Sequence, residues 1–162
     1  MRVVYFAAPL FTQAERLWNA RVADGLRAAG FTVILPQERA MDVIKPGEPL
    51  PVRRLYELAL DGIRQADWVL AVLDGSDPDS GTSFECGYAG ALGKRLLGVR
   101  TDLRTGGDDV GYDVNLMLSQ ACIEFVRVDP EDLDGGVDGL VRSIDQRLRQ
   151  SVAALSADNT TA

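Results

Sequence analysis

Short apolar runs and helical repeats alternate along this chain. Runs rich in β-branched and aromatic residues predict five strands, at residues 3–8, 31–35, 67–73, 95–101 and 121–128. Between and after them, apolar positions at helical spacing predict helices from the candidate N-cap Thr12 to Gly30 and over residues 52–65, about 83–92, 114–119 and 133–150. Strands that alternate with helices predict an α/β fold: a doubly wound, five-stranded parallel sheet with helices on both faces.

The remaining segments bound the domain. Residues 36–51 hold four prolines and mixed charge, which predicts a long loop of the kind that often closes over a binding site. Residues 151–162 are small and polar, which predicts a flexible tail. The chain of 162 residues is long enough to bury one core, so we expect a single domain over residues 1–150.

The strand order decides where a site would lie. If the order is the flavodoxin-like 2-1-3-4-5, the topological switch point falls between the first and third strands, and ligands bind at the carboxyl ends of strands there. Residues 5–11 and 74–85 would then face each other across one crevice. The second segment carries three acidic residues, Asp77, Asp79 and Glu85.

Glu85 has two interpretations. With Thr82 as N-cap, residues 82–85 fit a capping box, in which the hydroxyl and the carboxylate bind each other's backbone N–H groups. Alternatively, a carboxylate in the first helical turn is kept ionised by the helix dipole and is suited to be a nucleophile. Asp79, on the flexible side of the loop, would then protonate a leaving group, as in glycosidic bond cleavage by two carboxylates.

Glycines follow Glu85 at helical spacing. Gly87, Gly90 and Gly93 predict close packing of this helix against its neighbours. The segment from Gly87 to Lys94 has the wrong spacing for a phosphate-binding loop, and Arg95 stands where Ser or Thr is required. No G-x-G-x-x-G motif follows the first strand, so dinucleotide binding is unsupported.

Composition excludes several kinds of catalytic and metal site. The sequence has no histidine, so catalytic triads with histidine, acid–base catalysis by histidine and metal binding by histidine are all excluded. Two cysteines, Cys86 and Cys122, are too few for a structural zinc site, and we expect both to be buried and reduced. A net charge of −7 argues against nucleic-acid binding. The first residues lack the pattern of a signal peptide and no apolar run reaches membrane-spanning length, so we expect a cytoplasmic protein without membrane contact.

Four segments of the chain form a recognisable set: residues 5–11 (YFAAPLF), 66–67 (AD), 77–89 (DPDSGTSFECGYA) and 115–117 (NLM). Together they closely resemble the nucleoside 2-deoxyribosyltransferase family. The resemblance runs from the first strand to about Met117, and its D-S-G-T-x-x-E-x-G-Y-A string is specific. It implies a flavodoxin-like fold and a role in nucleotide salvage.

The resemblance also implies a double displacement at the anomeric carbon of a 2′-deoxynucleoside with net retention. Glu85 matches the nucleophile that forms a covalent deoxyribosyl-enzyme, and Tyr5 matches the residue whose hydroxyl holds it. Asp79 matches the carboxylate that contacts and protonates the base. A 2-deoxy sugar forms its oxocarbenium-like transition state readily, so two carboxylates suffice without a metal or cofactor.

Further positions match substrate-binding residues of the family. Phe11 matches an aromatic wall for the base, and Asp77 and Gly81 lie in the matching loop. Asn115 and Met117 match positions that reach a neighbouring subunit's site, which implies a homo-oligomer, a dimer or a hexamer. The family often carries an acidic residue near position 59; here that position is Ala59, and Asp61 is either its replacement or a solvated helix charge.

Two other functions stay open. A related hydrolase would cleave 2′-deoxynucleoside 5′-monophosphates with water in place of the second base. Its phosphate needs an anion site, whereas residues 7–11 are apolar here; Arg16 and Arg53 are the candidate cations. A non-catalytic nucleotide-sensing module on the same fold is the third hypothesis.

Overall fold

The computed structural model describes residues 2–108 and 113–158. In this part of the chain the strands are β1 (Val3–Ala7), β2 (Thr32–Ile34), β3 (Trp68–Val72), β4 (Arg95–Arg100) and β5 (Glu124–Arg127). Together these described strands form one sheet in the order β2-β1-β3-β4-β5. All four pairings are parallel, so the predicted flavodoxin-like, doubly wound sheet is confirmed.

Helices cover both faces of the sheet, as predicted. The helices are α1 (Gln13–Ala28), α2 (Pro36–Met41), α3 (Val52–Gln65), α4 (Ser80–Ala91), α5 (Leu116–Ala121) and α6 (Gly136–Asp158), and a 3₁₀ helix spans Pro130–Gly135. The first and last helices, α1 and α6, pack together on one face, and α3 and α4 pack on the other. The short α5 lies beside α4.

Side chains of the central strands divide between two cores because successive residues of a strand point to opposite faces. In β1, Val4 and Phe6 join the core under α1 and α6, whereas Tyr5 and Ala7 join the core under α3 and α4. The sequence therefore places Tyr5 beneath the two helices that flank the predicted crevice.

The start of α1 confirms Thr12 as N-cap. Its side chain accepts a hydrogen bond from Glu15 N at 3.2 Å, and the Glu15 carboxylate accepts one from Thr12 N at 2.8 Å. This reciprocal pair satisfies two backbone donors that the first helical turn leaves free.

Several predicted boundaries are wrong. Residues 36–41 form α2 instead of loop, because proline fits the first turn of a helix. The fifth strand begins at Glu124 and not at residue 121, since α5 extends through Ala121. The last helix runs to Asp158, past its predicted end at residue 150; residues 159–162 of the predicted tail lie outside the described residues.

The glycines of α4 also differ from prediction. A Cβ atom at Gly87 or Gly90 would meet open space, so neither glycine mediates close helix packing. Gly93 has a φ of +68° directly after the C-cap residue Leu92, which is the usual place of glycine at a helix end.

Across residues 2–108 and 113–158, no helix combines the length and the apolar character needed to cross a membrane.

Candidate active site

Tyr5 and Glu85 form the centre of the candidate site. Tyr5 lies in β1 and is fully buried, while Glu85 lies in α4, which crosses the same face of the sheet. The Tyr5 hydroxyl donates a hydrogen bond of 2.5 Å to Glu85 Oε1, across 80 residues of sequence. A bond this short is typical of a hydroxyl that donates to a carboxylate.

The ionisation of Glu85 is set by burial. Burial in the protein raises its pKa to about 7, the Tyr5 hydrogen bond opposes that rise, and the nearby negative charge of Asp79 adds to it. The prediction that the helix dipole keeps this carboxylate ionised, which would lower its pKa, is therefore wrong, because the pKa is raised. At neutral pH this carboxylate exists in both protonation states.

The capping box predicted for residues 82–85 is also wrong. The N-cap of α4 is Asp79, whose Oδ2 accepts hydrogen bonds from Thr82 N at 2.8 Å and from Thr82 Oγ1 at 3.2 Å. The helix begins at Ser80, so Glu85 falls in the second turn, beyond the free N–H groups of the first. Its carboxylate is directed to Tyr5 instead.

Tyr5 is held as a neutral donor. Its burial raises the pKa of the phenol far above the ordinary value, and the Glu85 charge raises it further. The Arg39 guanidinium, from α2, acts in the opposite sense on the same pKa. A cation from the segment predicted as a loop therefore lies within electrostatic range of the site.

Gly81 lies against the Asp79 carboxylate. A Cβ atom at this position would approach Asp79 Oδ2 to 3.0 Å, which would crowd the capping carboxylate. The glycine in the D-S-G-T string thus leaves room for the side chain of Asp79.

Three predicted substrate-binding residues line one groove beside α4. Asp77, Asn115 and Met117 border a space of about 420 Å³, together with Ser83, Cys86, Gly87, Gly90, Leu118 and Ala121. Asn115 is the N-cap of α5: its Oδ1 accepts from Met117 N at 2.9 Å. The Met117 side chain is 71% exposed. Gly87 and Gly90 have no Cβ atom, which leaves this groove open.

Two predicted binding residues lie apart from this group. Phe11 precedes the N-cap of α1, and its side chain is 76% exposed. Asp61 lies in α3, where its carboxylate pairs with Arg64 at 2.7 Å with about half of the side chain exposed. This exposed pair within one helix is the contact expected if Asp61 is a solvated helix charge, the second of its two interpretations.

The loops after β3 and β4 are joined by hydrogen bonds that the sequence did not predict. The Asp74 carboxylate accepts bonds from Thr101 N, Thr101 Oγ1 and Asp102 N at 2.5–3.0 Å, and Asp102 accepts one from Gly75 N. The fully buried Arg100 donates to the carbonyl oxygens of Leu73, Gly75 and Arg104. These contacts hold the loop that carries Asp77 and Asp79. The sequence signal for these contacts was Arg100 itself, a charged residue at the end of the apolar run of β4.

Gly62 is a second residue that sequence reasoning missed. It lies in the interior of α3, and a Cβ atom there would come within 2.7 Å of the Tyr5 ring. Glycine inside a helix costs stability, so its presence in an otherwise regular helix was a usable signal.

Comparison with known proteins identifies the family of this chain. The family model described as nucleoside 2-deoxyribosyltransferase matches residues 4–117, which is more than half of the chain and includes every residue of the groove and of the Tyr5–Glu85 pair except Leu118 and Ala121. Among curated proteins, no sequence matches this chain significantly.

Solved structures show the same fold. A conserved protein from Enterococcus faecalis V583 is 24% identical, with a TM-score of 0.71 over 91% of this chain and 99% of that one. A 2-desoxiribosyltransferase from Leishmania mexicana is 28% identical, with a TM-score of 0.60 over 77% of this chain and 90% of that one. The CMP N-glycosidase BcmB from Clostridium botulinum is 17% identical, with a TM-score of 0.57 over 89% and 99%.

The extent of the family match, which contains both the Tyr5–Glu85 hydrogen bond and the Asp79 cap, decides the classification. The chain belongs to the nucleoside 2-deoxyribosyltransferase family, an enzyme family that acts on nucleosides and nucleobases.

Proposed function

We propose that this protein transfers 2-deoxyribose between nucleobases by double displacement through a deoxyribosyl–Glu85 intermediate. The observation that carries the proposal is the half-buried Glu85 carboxylate held at 2.5 Å by the Tyr5 hydroxyl. A carboxylate with one oxygen occupied by a hydrogen-bond donor keeps the other oxygen for attack on carbon. Family membership supports the same chemistry.

In the first displacement, Glu85 Oε2 attacks C1′ of the deoxynucleoside. Asp79 enters this step protonated on Oδ1, since Oδ2 accepts from Thr82. It gives that proton to the departing base as the C1′–N bond breaks. Tyr5 stays protonated and bound to Oε1 throughout.

In the second displacement, a nitrogen of the incoming base attacks C1′ from the opposite side. Its proton passes to Asp79, and the C1′–Oε2 bond breaks to release the Glu85 carboxylate. The Tyr5 hydroxyl stabilises the charge that returns to the carboxylate. Two inversions at C1′ give net retention.

The remaining substrate contacts are part of the same proposal. Phe11 has an exposed ring that would form a wall for the base, and Asp77 borders the groove. Asn115 and Met117 would reach the site of a neighbouring subunit in a homodimer or hexamer. The 71% exposure of Met117, on the rim of an open groove, supports this assignment. We place the enzyme in the cytoplasm, in nucleoside salvage.

A second candidate is hydrolysis of 2′-deoxynucleoside 5′-monophosphates by the same nucleophile. The observation that favours it is the positive charge of Arg39 near Tyr5, which would attract a phosphate. The cation Arg53 is less suited, because it pairs with Glu57 at 2.9 Å on an exposed helix face. A non-catalytic sensing module is disfavoured, since ligand binding alone does not require a half-buried carboxylate held by a tyrosine hydroxyl.

The test is chromatography of products from 2′-deoxyinosine with free adenine or cytosine, and separately from 2′-deoxynucleoside monophosphates. A new deoxynucleoside that forms only with the second base, and is lost in Glu85→Ala, supports the transferase. Free base and deoxyribose 5-phosphate from the monophosphates alone would identify the hydrolase. Glu57→Ala, which removes a surface carboxylate from α3, is the matched control and should keep full activity. Turnover that persists in Glu85→Ala would overturn the nucleophile assignment.

A further inference from the structure

Gly62 and Tyr5 lie so close together that a Cβ atom at position 62 would clash with the Tyr5 ring. Gly62 is buried in α3 above the sheet. A Cβ atom built on its backbone would lie 2.7 Å from Tyr5 Cε2, 2.8 Å from Tyr5 Cδ2 and 3.2 Å from Ile34 Cγ2. Carbon atoms in favourable contact are about 3.5–4.0 Å apart, so a side chain here would displace the Tyr5 ring.

The backbone of Tyr5 cannot retreat to relieve such a contact. Tyr5 lies in β1 between two paired strands, in register with Ile34 of β2 and Val69 of β3. Its side chain is fully buried in the core under α3 and α4. In a close-packed core, displaced side chains shift by rotation or force their neighbours apart, at a cost.

Displacement of the ring acts directly on the hydrogen bond to Glu85. Cε2, the atom nearest to position 62, is bonded to the ring carbon that carries the hydroxyl. The hydroxyl lies 2.5 Å from Glu85 Oε1, so a shift of the ring by a few tenths of an ångström lengthens or misaligns this bond.

We propose that Gly62 is a positioning residue for the reaction: its lack of a side chain lets the Tyr5 ring lie against α3 where its hydroxyl reaches the nucleophile. This inference rests on the proposed function for its kinetic consequences. Its structural consequence, the state of the Tyr5–Glu85 hydrogen bond, is measurable without any substrate.

The test compares Gly62→Ala with Gly25→Ala. A Cβ atom at Gly25 would also approach a neighbour to 2.7 Å, at Val141 Cγ2, but this contact joins α1 and α6 on the opposite face of the sheet. Both variants should lose stability in urea unfolding. At a temperature where both are folded, Gly62→Ala should lower kcat about tenfold or more with little change in KM, whereas Gly25→Ala should keep the wild-type rate.

The titration of Glu85 distinguishes a positioning role of Gly62 from a merely structural one. Because the Tyr5 hydrogen bond lowers the pKa of Glu85, its loss raises that pKa. Carbon-13 NMR of the Glu85 carboxyl, assigned with Glu85→Gln, should show a higher pKa in both Tyr5→Phe and Gly62→Ala and no change in Gly25→Ala. The double variant Tyr5→Phe/Gly62→Ala should lose little activity beyond Tyr5→Phe, since the hydrogen bond is already absent.

A wild-type Glu85 titration in Gly62→Ala would overturn the inference, as would fully additive losses in the double variant. Absence of turnover in the wild-type protein would overturn the proposed function instead, and the titration would still decide the role of Gly62. If Gly62→Ala does not fold, it is placed in Tyr5→Ala, which lacks the ring. Recovery of folding there supports the contact, and failure to recover contradicts it.

Discussion

Asp79 is joined to Thr82 through a single carboxylate oxygen, which accepts both the backbone N–H at 2.8 Å and the hydroxyl at 3.2 Å. The residue proposed to protonate the base is therefore also the N-cap of α4, the helix that carries the nucleophile. Oδ2 caps the helix, and Oδ1 remains available to the substrate. Capping and proton transfer are separable by mutation because an amide caps a helix as well as a carboxylate does.

Asp79→Asn should keep the stability of the protein and lose most of its activity. Asparagine still accepts the Thr82 bonds but carries no transferable carboxyl proton, so kcat should fall roughly 100-fold or more. Asp79→Ala should lose activity to a similar extent and about 1 kcal/mol of stability as well, because the cap is gone. Urea unfolding beside transfer assays measures both; a stable and active Asp79→Asn would contradict the proton-transfer role.

The transfer rate should depend on pH through Glu85. Only the ionised carboxylate attacks C1′, and its pKa is about 7. In Asp79→Asn, where no second carboxyl titrates, the residual kcat/KM should therefore rise about tenfold per pH unit well below pH 7 and level off above it. Initial rates between pH 5 and 9 measure this acidic limb. A limb near pH 4.5, the ordinary value for glutamate, would show that burial does not control the nucleophile.

Glu85→Gln should stabilise the protein at alkaline pH. The folded pKa of about 7 lies above the ordinary 4.5, so the folded chain holds this proton more tightly, and ionisation costs stability as pH rises from about 4.5 to 7. The neutral variant avoids this cost. It should exceed the wild type by up to about 3 kcal/mol above pH 7, with the difference vanishing below about pH 4.5. Thermal unfolding at pH 4.5 and 8 measures it; an advantage that does not grow with pH would contradict the burial effect.

Arg100 should contribute to stability far more than its neighbour Arg104. Arg100→Met leaves three carbonyl oxygens without their donor, and each unsatisfied buried group costs about 1–3 kcal/mol, so we expect a loss of at least about 2 kcal/mol. Arg104→Met removes an exposed ion pair to Asp102 and should cost less than about 1 kcal/mol. Equal losses in urea unfolding would argue against the role of Arg100 in joining the two loops.

Both thiols should be unreactive in the folded protein. Burial raises the pKa of Cys86 to about 12 and that of Cys122 to about 11, although Cys122 is only half-buried and not fully buried as predicted. Thiolate is the reactive form, so labelling by a disulfide reagent at pH 8 should be roughly 100-fold slower than in urea. Rapid labelling of the variant Cys122→Ser would show that Cys86 is accessible from the groove.

Local sequence was sufficient to predict those helices and strands for which the chain carries only one start or stop signal. Residues 52–65 were predicted as a helix with the bounds that α3 has, and the Thr12 cap is confirmed with its partner Glu15. Alternation of strands and helices determined the parallel sheet and, with it, the edge where a site would lie. The motif around Glu85 pointed to the family that the comparison shows.

Where two local signals competed, tertiary structure decided. Asp79 and Thr82 are both good N-caps, and the helix begins at the earlier one, which moves Glu85 into the second turn. Its pKa then depends on burial beneath the neighbouring elements, a property of the packed fold that spacing along the chain does not contain. The sequence by itself determined the fold and the edge of the sheet, and it predicted the site residues. Only tertiary packing decided that Tyr5 meets Glu85, that Gly62 leaves room for the Tyr5 ring and that Arg100 joins the loops, because each contact links residues far apart in sequence.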